Sequence, residues 1–335
     1  MATAIAPFQK TTTRIAALDG WRGIAILLVL EAHFWAPTHP WSGHWGRLGV
    51  TIFFVLSGYL ITGNLLREMD NGGISLRRFY LRRIFRLWPC AWTYQAVVLF
   101  LFAALVHRFM WRDALKCIAF VRNFSGDTIL TEHFWSLSIE EQFYLVWPLM
   151  LVVFRKRAAR IAVAGIVFVA IFRVTHWAIW ADQVHNYFPS MATQFNADDL
   201  LAGCLVSLLK QRFPLVLENR KILAGSIAVL LPVAIVPSYI SHTAAIFAIG
   251  AALILSVQHP ALNRAFSFRP LERLGVLSYS LYVWQQLFGH IEHPARPWLV
   301  LPALAMAWLS YEYIEQPGLR FGARFGGRKS TLVSV

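Results

Sequence analysis

The stretch WRGIAILLVLEAHFW, from Trp21 to Trp35, is apolar except for Arg22, Glu31 and His33. Arg22 and His33 are eleven positions apart, which at about 100° per residue is about 20° past three full turns of an α-helix. Their side chains therefore project from one face of a predicted helix, about 16 Å apart along its axis. Placing an ionisable group inside a membrane costs on the order of 3 kcal/mol, so such groups are candidates for function. The alternative is that Arg22 reaches the membrane surface while His33 only bonds a neighbouring helix.

The composition of the 335-residue chain places this helix in a membrane. Hydrophobic residues make up 57% of the chain and charged residues 14%, and the mean hydropathy is +0.52. One soluble core could not bury so much apolar surface. We therefore predict an all-α fold, a polytopic integral membrane bundle of about ten transmembrane helices. The predicted spans cover approximately residues 18–36, 48–66, 87–107, 133–154, 161–180, 196–210, 221–239, 242–258, 274–291 and 298–318.

The basic residues give this bundle an orientation. With the amino terminus inside, 23 of the 31 Lys and Arg residues fall in cytoplasmic segments, six fall outside, and Arg22 and Arg173 lie within spans. Cytoplasmic loops concentrate such residues, so both termini are predicted to be cytoplasmic. Residues 1–17 form an amino-terminal tail, 18–318 the membrane domain and 319–335 a basic tail. The net charge of +14 follows from this topology and from attraction to membrane lipid. Nucleic acid is not an expected partner.

Common catalytic and metal-binding patterns are missing from the sequence. No histidine is followed five positions later by aspartate, and there is no Gly-x-Ser-x-Gly segment of the kind that carries a serine nucleophile. The three cysteines have no metal-ligand spacing, so no metal site is expected.

Six blocks of sequence, in this order, resemble the acyltransferase family 3 membrane proteins, which O-acylate cell-surface carbohydrates, Nod factors and some macrolides. The resemblance covers about residues 18 to 318. The blocks are LDGWRGIAILLVLEAH (18–33), GVTIFFVLSGYLIT (49–62), FYLRRIFRLWP (79–89), HFWSLSIEEQFYLVWP (133–148), LGVLSYSLYVWQQ (274–286) and YEYIEQP (311–317). The chain departs from the family where Gln285 and Gln316 replace a frequent histidine and arginine.

The resemblance implies a cytoplasmic acyl-CoA donor, most often acetyl-CoA, acting as a co-substrate with no permanently bound cofactor. It implies an acceptor hydroxyl on a cell-surface or lipid-linked carbohydrate or on a glycosylated small molecule. A stand-alone enzyme of the bacterial cytoplasmic membrane is expected. The rival interpretation is a proton-coupled transporter or flippase in which His33 and nearby carboxylates relay protons, and hydropathy does not separate the two.

Candidate catalytic and donor-binding residues follow from these expectations. A neutral imidazole suits removal of the proton from an attacking hydroxyl, so His33 is the predicted general base. We expect Arg22 to bind a polar group of the donor. The cluster Arg82, Arg83 and Arg86 is explained by anchoring at the cytoplasmic face, but arginine also donates paired hydrogen bonds to phosphate. Together with the resemblance, this favours binding of CoA phosphates.

Glu140 and Glu141 are predicted near the outer end of the fourth span. Being adjacent, they point about 100° apart and cannot act as one carboxylate pair. One is a candidate to orient the catalytic His33 while the other bonds a sugar hydroxyl. The alternative is that they satisfy free backbone donors at a helix amino terminus.

Acceptor-binding candidates lie in the fourth and fifth spans. Ser136 and Tyr144 share a helical stripe with Glu140, and Trp135 offers a face on which a sugar could stack, although interfaces are rich in tryptophan for other reasons. Arg173 either binds the acceptor or pairs with a carboxylate such as Glu31.

Two pairs of adjacent residues suggest structural roles. Ser57 and Gly58 are small enough to allow close helix packing. Asp198 and Asp199 are expected to cap the beginning of the sixth span.

Overall fold

A computed structural model of the protein describes residues 15–35, 42–106, 110–125, 128–180, 191–235, 241–290 and 295–324. The regular elements in these ranges are all helical, which confirms the predicted all-α class. The α-helices are α1 (Ala16–Phe34), α2 (Ser42–Asp70), α3 (Leu76–Leu101), α4 (Trp111–Ile118), α5 (Phe134–Phe154), α6 (Ala158–Trp180), α7 (Ala197–Arg212), α8 (Pro214–Leu217), α9 (Arg220–Ile235), α10 (Ser241–Gln258), α11 (Pro260–Phe266), α12 (Arg269–Gly289), α13 (Val300–Ser310) and α14 (Gln316–Arg324).

Each of the ten predicted spans overlaps one of the longer helices in the described ranges. Among the described residues, four helical stretches are long and apolar enough to cross a membrane, namely His44–Asp70, Leu76–Leu105, Ile129–His176 and Ser241–Gln258. The third stretch contains two predicted spans, because only the short 3-10 turn Arg155–Arg157 separates α5 from α6. The count of ten crossings and the cytoplasmic location of both termini stay predictions. Residues 1–14 and 325–335 lie outside the described part of the chain.

The outward faces of α5 and α6 carry large apolar side chains. Leu145 and Val153 of α5, and Phe168 and Ile171 of α6, are all more than half exposed, whereas Leu151 on the opposite face of α5 is fully buried. A continuous exposed face of this kind is unfavourable in water and suits contact with lipid or another apolar surface.

Helix α1 lies against α12, and glycines allow their backbones to touch. A Cβ atom added at Gly275 would lie 1.8 Å from the backbone oxygen of Asp19, and one at Gly289 would lie 3.0 Å from the Cβ of His33. Because both pairs have the same offset in residue number, α1 and α12 run parallel. Residues of equal offset therefore lie at the same level of the bundle, which fixes the relative heights of side chains in the candidate site.

Helix α2 packs as closely against α7. A Cβ at Gly58 would lie 1.9 Å from the backbone oxygen of Leu200, and one at Gly203 would lie equally close to the oxygen of Val55. The predicted role of Gly58 in close packing is thus confirmed. Its neighbour Ser57 instead hydrogen-bonds to Glu140 of α5.

We expect the substitution Gly275→Ala to destabilise the protein. The added methyl group meets a backbone oxygen that cannot rotate away, and overpacking of this kind costs about 1 to 3 kcal/mol in free energy of unfolding. Thermal unfolding of the purified protein in detergent measures the change. The matched control is Gly225→Ala in α9, where nothing lies within 4 Å of the added atom. Equal melting temperatures for both variants would contradict the close contact of α1 and α12.

Polar contacts tie several helix ends together at one end of the bundle. Asp70 accepts hydrogen bonds from Arg155 at 2.5 Å and from Gln211 at 2.7 Å. Glu68 pairs with Arg82 at 2.8 Å. All five residues lie in segments that the charge distribution predicts to be cytoplasmic. The structure therefore brings together helix ends that the sequence assigns to one side of the membrane.

Candidate active site

A cavity of about 640 Å³, including its open mouth, lies between α1, α2, α3, α5 and α12. Helices α2 and α5 run side by side and contact each other through Ser57 and Glu140. The position of each lining residue along these helices therefore assigns that residue to one of two ends of the cavity. The basic end is lined by Arg22, Ser57, Arg83, Arg86, Glu140 and Tyr144. The apolar end is lined by Val50, Phe53, Phe54 and Leu137, with Ser136 and Tyr282.

Arg83 is held firmly at the basic end. Its Nε donates to Glu141 Oε1 at 3.1 Å, and its guanidinium lies 3.0 Å from the centre of the Tyr144 ring. Trp88 Nε1 donates to the other oxygen of Glu141, also at 3.1 Å. The carboxylate is thereby fixed from two sides, and it fixes the guanidinium in turn. A positioned planar cation of this kind is suited to bind phosphate.

Arg86 lies one helical turn after Arg83 on the same face of α3. Its Nε is buried and has no hydrogen-bond partner among the described residues. Arg22 and Arg83 lie within electrostatic range of Arg86, and so does the buried carboxylate Glu315. Arg22 also forms an ion pair with Asp19 at 3.2 Å. Asp19 and Glu141 offset the charges of Arg22 and Arg83, so the group at the basic end that favours an anionic ligand is the buried Arg86 Nε, which has no partner among the described residues.

The two adjacent glutamates have different partners, as their angular separation requires. Glu140 lines the cavity and accepts a hydrogen bond from Ser57 at 2.8 Å, whereas Glu141 binds Arg83. Both lie at the basic end with the donor-binding candidates, and not near the acceptor side as the sequence suggested. Within the described ranges, the two carboxylates bond to Ser57, Arg83 and Trp88, and His33 is not among these partners.

Several predicted site residues lie away from the cavity. Arg82 pairs with Glu68 at the end of the bundle, so the structure divides the predicted arginine cluster. Trp135 is buried, with its ring packed edge-on against Phe54. Arg173 pairs with Asp198 at 2.6 Å, a different carboxylate from the alternative partner suggested by the sequence. Of the acceptor candidates, only Ser136 and Tyr144 line the cavity.

Asp198 and Asp199 lie in the first turn of α7, but neither side chain caps it. The capping expectation was therefore wrong, because both carboxylates are engaged elsewhere. Asp198 binds Arg173, and Asp199 accepts a hydrogen bond from His242 at 2.6 Å. Ligand atoms of Asp198, Asp199 and His242 lie within 4.8 Å of one another, the one grouping in the described ranges that could hold a metal ion. The carboxylate of Asp198 in this group is already paired with Arg173.

His33 lies in the last turn of α1, as predicted, but it does not line the cavity. Its Nδ1 is 2.8 Å from the backbone oxygen of Val29. A carbonyl oxygen only accepts, so this geometry assigns the proton to Nδ1 and leaves the lone pair on Nε2. Arg296 Nε donates to the backbone oxygen of His33 at 2.6 Å, and the His290 ring lies edge-on at 5.4 Å. The tautomer is the one that a base acting through Nε2 requires.

Sequence reasoning missed several residues near these sites. Tyr282 and Glu315 fall inside blocks that resemble the family, and this was the signal that could have drawn attention to them. His133 opens another of these blocks. His290 lies outside all the blocks, and only its contact with His33 identifies it. Together, His33, His133 and His290 form a histidine cluster in which His133 is within electrostatic range of the other two.

Comparison with known proteins identifies the chain. The family described as "Acyltransferase domain", acyltransferase family 3, matches residues 15–310. The chain is 30% identical to the peptidoglycan O-acetyltransferase OatA of Listeria monocytogenes, over 92% of this chain and 57% of that protein. It is 32% identical to the putative peptidoglycan O-acetyltransferase YrhL of Bacillus subtilis, over 94% of this chain and 56% of that protein.

A putative O-acetyltransferase of Staphylococcus aureus is 29% identical, over 94% of this chain and 59% of that protein. The chain thus spans less than three fifths of the length of these relatives. No solved structure matches it. The match of one family to most of the chain, on the helices that build the cavity, shows that this protein belongs to acyltransferase family 3.

Proposed function

We propose that the protein is a membrane O-acetyltransferase that moves an acetyl group from acetyl-CoA on the cytoplasmic face to a carbohydrate hydroxyl on the other side. The observation that carries this proposal is the basic end of the cavity. There Arg22, Arg83 and Arg86 surround one space, and Arg86 keeps a buried, unpartnered Nε. A buried donor without a partner is costly, so a ligand with anionic oxygens is the expected occupant. The phosphates of CoA meet that requirement.

The lining of the cavity suits the rest of this donor. Beyond the arginines, the apolar end is lined by Phe53, Phe54 and Leu137. An uncharged pantetheine arm and its acetyl group suit such a lining, because burial of apolar surface stabilises them there. The donor would therefore bind with its phosphates at the basic end and its thioester directed along α1 towards His33.

The chemistry then follows from the tautomer of His33. Its Nε2 accepts the proton of the acceptor hydroxyl while the hydroxyl oxygen attacks the thioester carbonyl. The carbon–sulfur bond breaks, and the leaving thiolate takes the proton from the imidazole. One ester and one thiol form from one alcohol and one thioester, so no other proton donor or cofactor is needed.

The acceptor class rests on the relatives. Two of them are named as peptidoglycan O-acetyltransferases, one of these as putative, so we propose a cell-surface or lipid-linked carbohydrate as the acceptor. The bacterial cytoplasmic membrane is the corresponding location. The test uses purified protein in lipid nanodiscs with acetyl-CoA labelled in the acetyl group and peptidoglycan fragments as the probe. Label in the glycan supports the proposal. Proton-coupled uptake of a glycan by proteoliposomes, without transfer from acetyl-CoA, would replace it with the transporter interpretation.

The adjacent glutamates give a matched pair of variants. Because Glu141 positions Arg83, we expect Glu141→Gln to raise the KM for acetyl-CoA by about tenfold, the loss of one charge-assisted hydrogen bond, with little change in kcat. Glu140→Gln keeps an acceptor for Ser57 and should change this KM much less. Steady-state kinetics at saturating acceptor measures both. Equal KM values for the two variants would show that Glu141 has no special role in donor binding.

A further inference from the structure

The cavity and the histidine cluster are separate in this structure. Because α1 and α12 run parallel, with Gly275 beside Asp19, Tyr282 at the apolar end is level with Ile26 of α1. His33 lies seven positions further along α1, which corresponds to about 10 Å at the rise of an α-helix. A thioester in the cavity would have to pass the level of Tyr282 to reach the imidazole.

We propose that Tyr282 is a gate that closes the apolar end of the cavity and moves to admit the thioester to the histidine cluster. Its hydroxyl is hydrogen-bonded to Ser136 Oγ and donates to the backbone oxygen of His133 at 3.1 Å. Its ring lies edge-on to Phe53 at 6.2 Å and to His133 at 5.7 Å. The side chain thus touches the cavity on one face and the histidine cluster on the other.

The two hydrogen bonds described for the Tyr282 side chain can break at modest cost. Both join uncharged groups, and neutral hydrogen bonds contribute only modestly to stability. A tyrosine ring also rotates as one rigid unit about two bonds, so opening needs no movement of the helix backbone. Ser136, which has its own bond to the backbone oxygen of His133 at 3.2 Å, keeps a partner when Tyr282 leaves.

Several buried polar atoms near His33, on the far side of Tyr282 from the cavity, lack hydrogen-bond partners within the described chain. His133 is 2% exposed, and neither ring nitrogen makes a well-formed hydrogen bond within the described chain. The Oε1 of Gln285 and the Nε2 of His290 are buried and equally unpartnered there. Buried polar groups normally find partners, so several unpaired ones beside His33 indicate a ligand that is present only during reaction. A thioester carbonyl and an acceptor hydroxyl would supply the missing partners.

The gate rests on the proposed function only in naming the thioester as the group that passes. Its test therefore measures how fast a reagent reaches position 33, and not the rate of acetyl transfer. In the reporter variant His33→Cys, the new thiol is labelled with a charged, membrane-impermeant methanethiosulfonate reagent, applied to inside-out vesicles from the predicted cytoplasmic face. The parent protein, whose Cys90, Cys117 and Cys204 are all buried, measures background labelling.

Into this reporter we introduce Tyr282→Phe, which removes both hydrogen bonds and keeps the ring. We expect labelling of the thiol to become about tenfold faster, the factor that corresponds to losing one or two neutral hydrogen bonds. Tyr282→Ala should be faster still. The matched control is Tyr80→Phe in α3, which removes a hydroxyl bond of 2.9 Å to the backbone oxygen of Leu145 in α5. It should leave the rate unchanged.

Fast labelling with Tyr282 intact, or one rate in all variants, would overturn the gate. Size-exclusion profiles confirm that the phenylalanine variant is folded, and this conservative change keeps the test valid if the alanine variant is not. Faster labelling in a protein that never transfers acetyl groups would support the gate and refute the proposed function. Transfer activity with unchanged labelling would support the proposed function and refute the gate.

Discussion

The variant His33→Ala is expected to lose acetyl transfer by a factor of about 100 to 10,000, the contribution of a general base. The imidazole is the group on α1 whose Nε2 lone pair is left available by the bond from Nδ1 to Val29. Without it, the acceptor hydroxyl loses the base that the proposed mechanism assigns to it, and the leaving thiolate loses the imidazolium that would return the proton. The rate of label transfer from acetyl-CoA to peptidoglycan fragments measures the loss.

Donor binding should survive this substitution, because His33 does not line the cavity. Isothermal titration of His33→Ala with CoA should therefore give a dissociation constant close to that of the parent. His259→Ala, in the connection between α10 and α11, is the control for removal of a histidine and should transfer normally. Retained transfer in His33→Ala would exclude the imidazole as the base. Loss of CoA binding together with transfer would assign it to the donor site instead.

The second large effect is expected for Arg86→Ala. A charge-assisted hydrogen bond contributes about 1.5 to 3 kcal/mol, so its removal should lower kcat/KM for acetyl-CoA by about tenfold to a hundredfold. The effect should appear in KM, because the guanidinium binds the donor and does not act on the reacting bond. Steady-state kinetics with acetyl-CoA as the varied substrate separates the two constants.

Two arginines of the same helix serve as comparisons for this variant. Arg82 pairs with Glu68 outside the cavity, and Arg77 is exposed at the beginning of α3. Alanine at either position removes the same charge from the same helix and should change kcat/KM by less than about threefold, as expected for exposed or surface-paired charges. An equal loss for Arg82→Ala and Arg86→Ala would mean that general attraction of CoA by the basic face matters more than the cavity does.

The arrangement explains how a buried base could serve substrates from two compartments. Arg83 and Arg86 at the basic end of the cavity lie in a segment predicted to face the cytoplasm, and His33 lies near the opposite end of α1 from Arg22. In the proposed function, a donor that spans this distance would meet an acceptor from the other side, and Tyr282, as the proposed gate, would separate the cavity from the histidine cluster. Separation of this kind would protect the thioester from water until the acceptor is bound.

Much of this protein was predictable from periodicity and composition. Long apolar segments fixed the helices, since a chain in lipid must satisfy its backbone hydrogen bonds within each segment. The eleven-residue spacing placed Arg22 and His33 on one face of α1, and the three-residue spacing did the same for Arg83 and Arg86 in α3. Gly58 indicated a close contact between two helices, because glycine has no side chain. Each of these features depends only on residues within one helix.

Which helices meet was decided by the tertiary structure alone. The pattern of a helix gives the direction of a side chain about its own axis, but not the neighbour that receives it. Glu141 therefore pairs with Arg83, 58 positions away, and Ser136 with Tyr282, 146 positions away, although nothing in either local pattern indicates the partner. Tertiary packing also explains why Arg82, Trp135 and Arg173 do not line the cavity. Arg82 pairs with Glu68, the Trp135 ring packs against Phe54, and Arg173 pairs with Asp198.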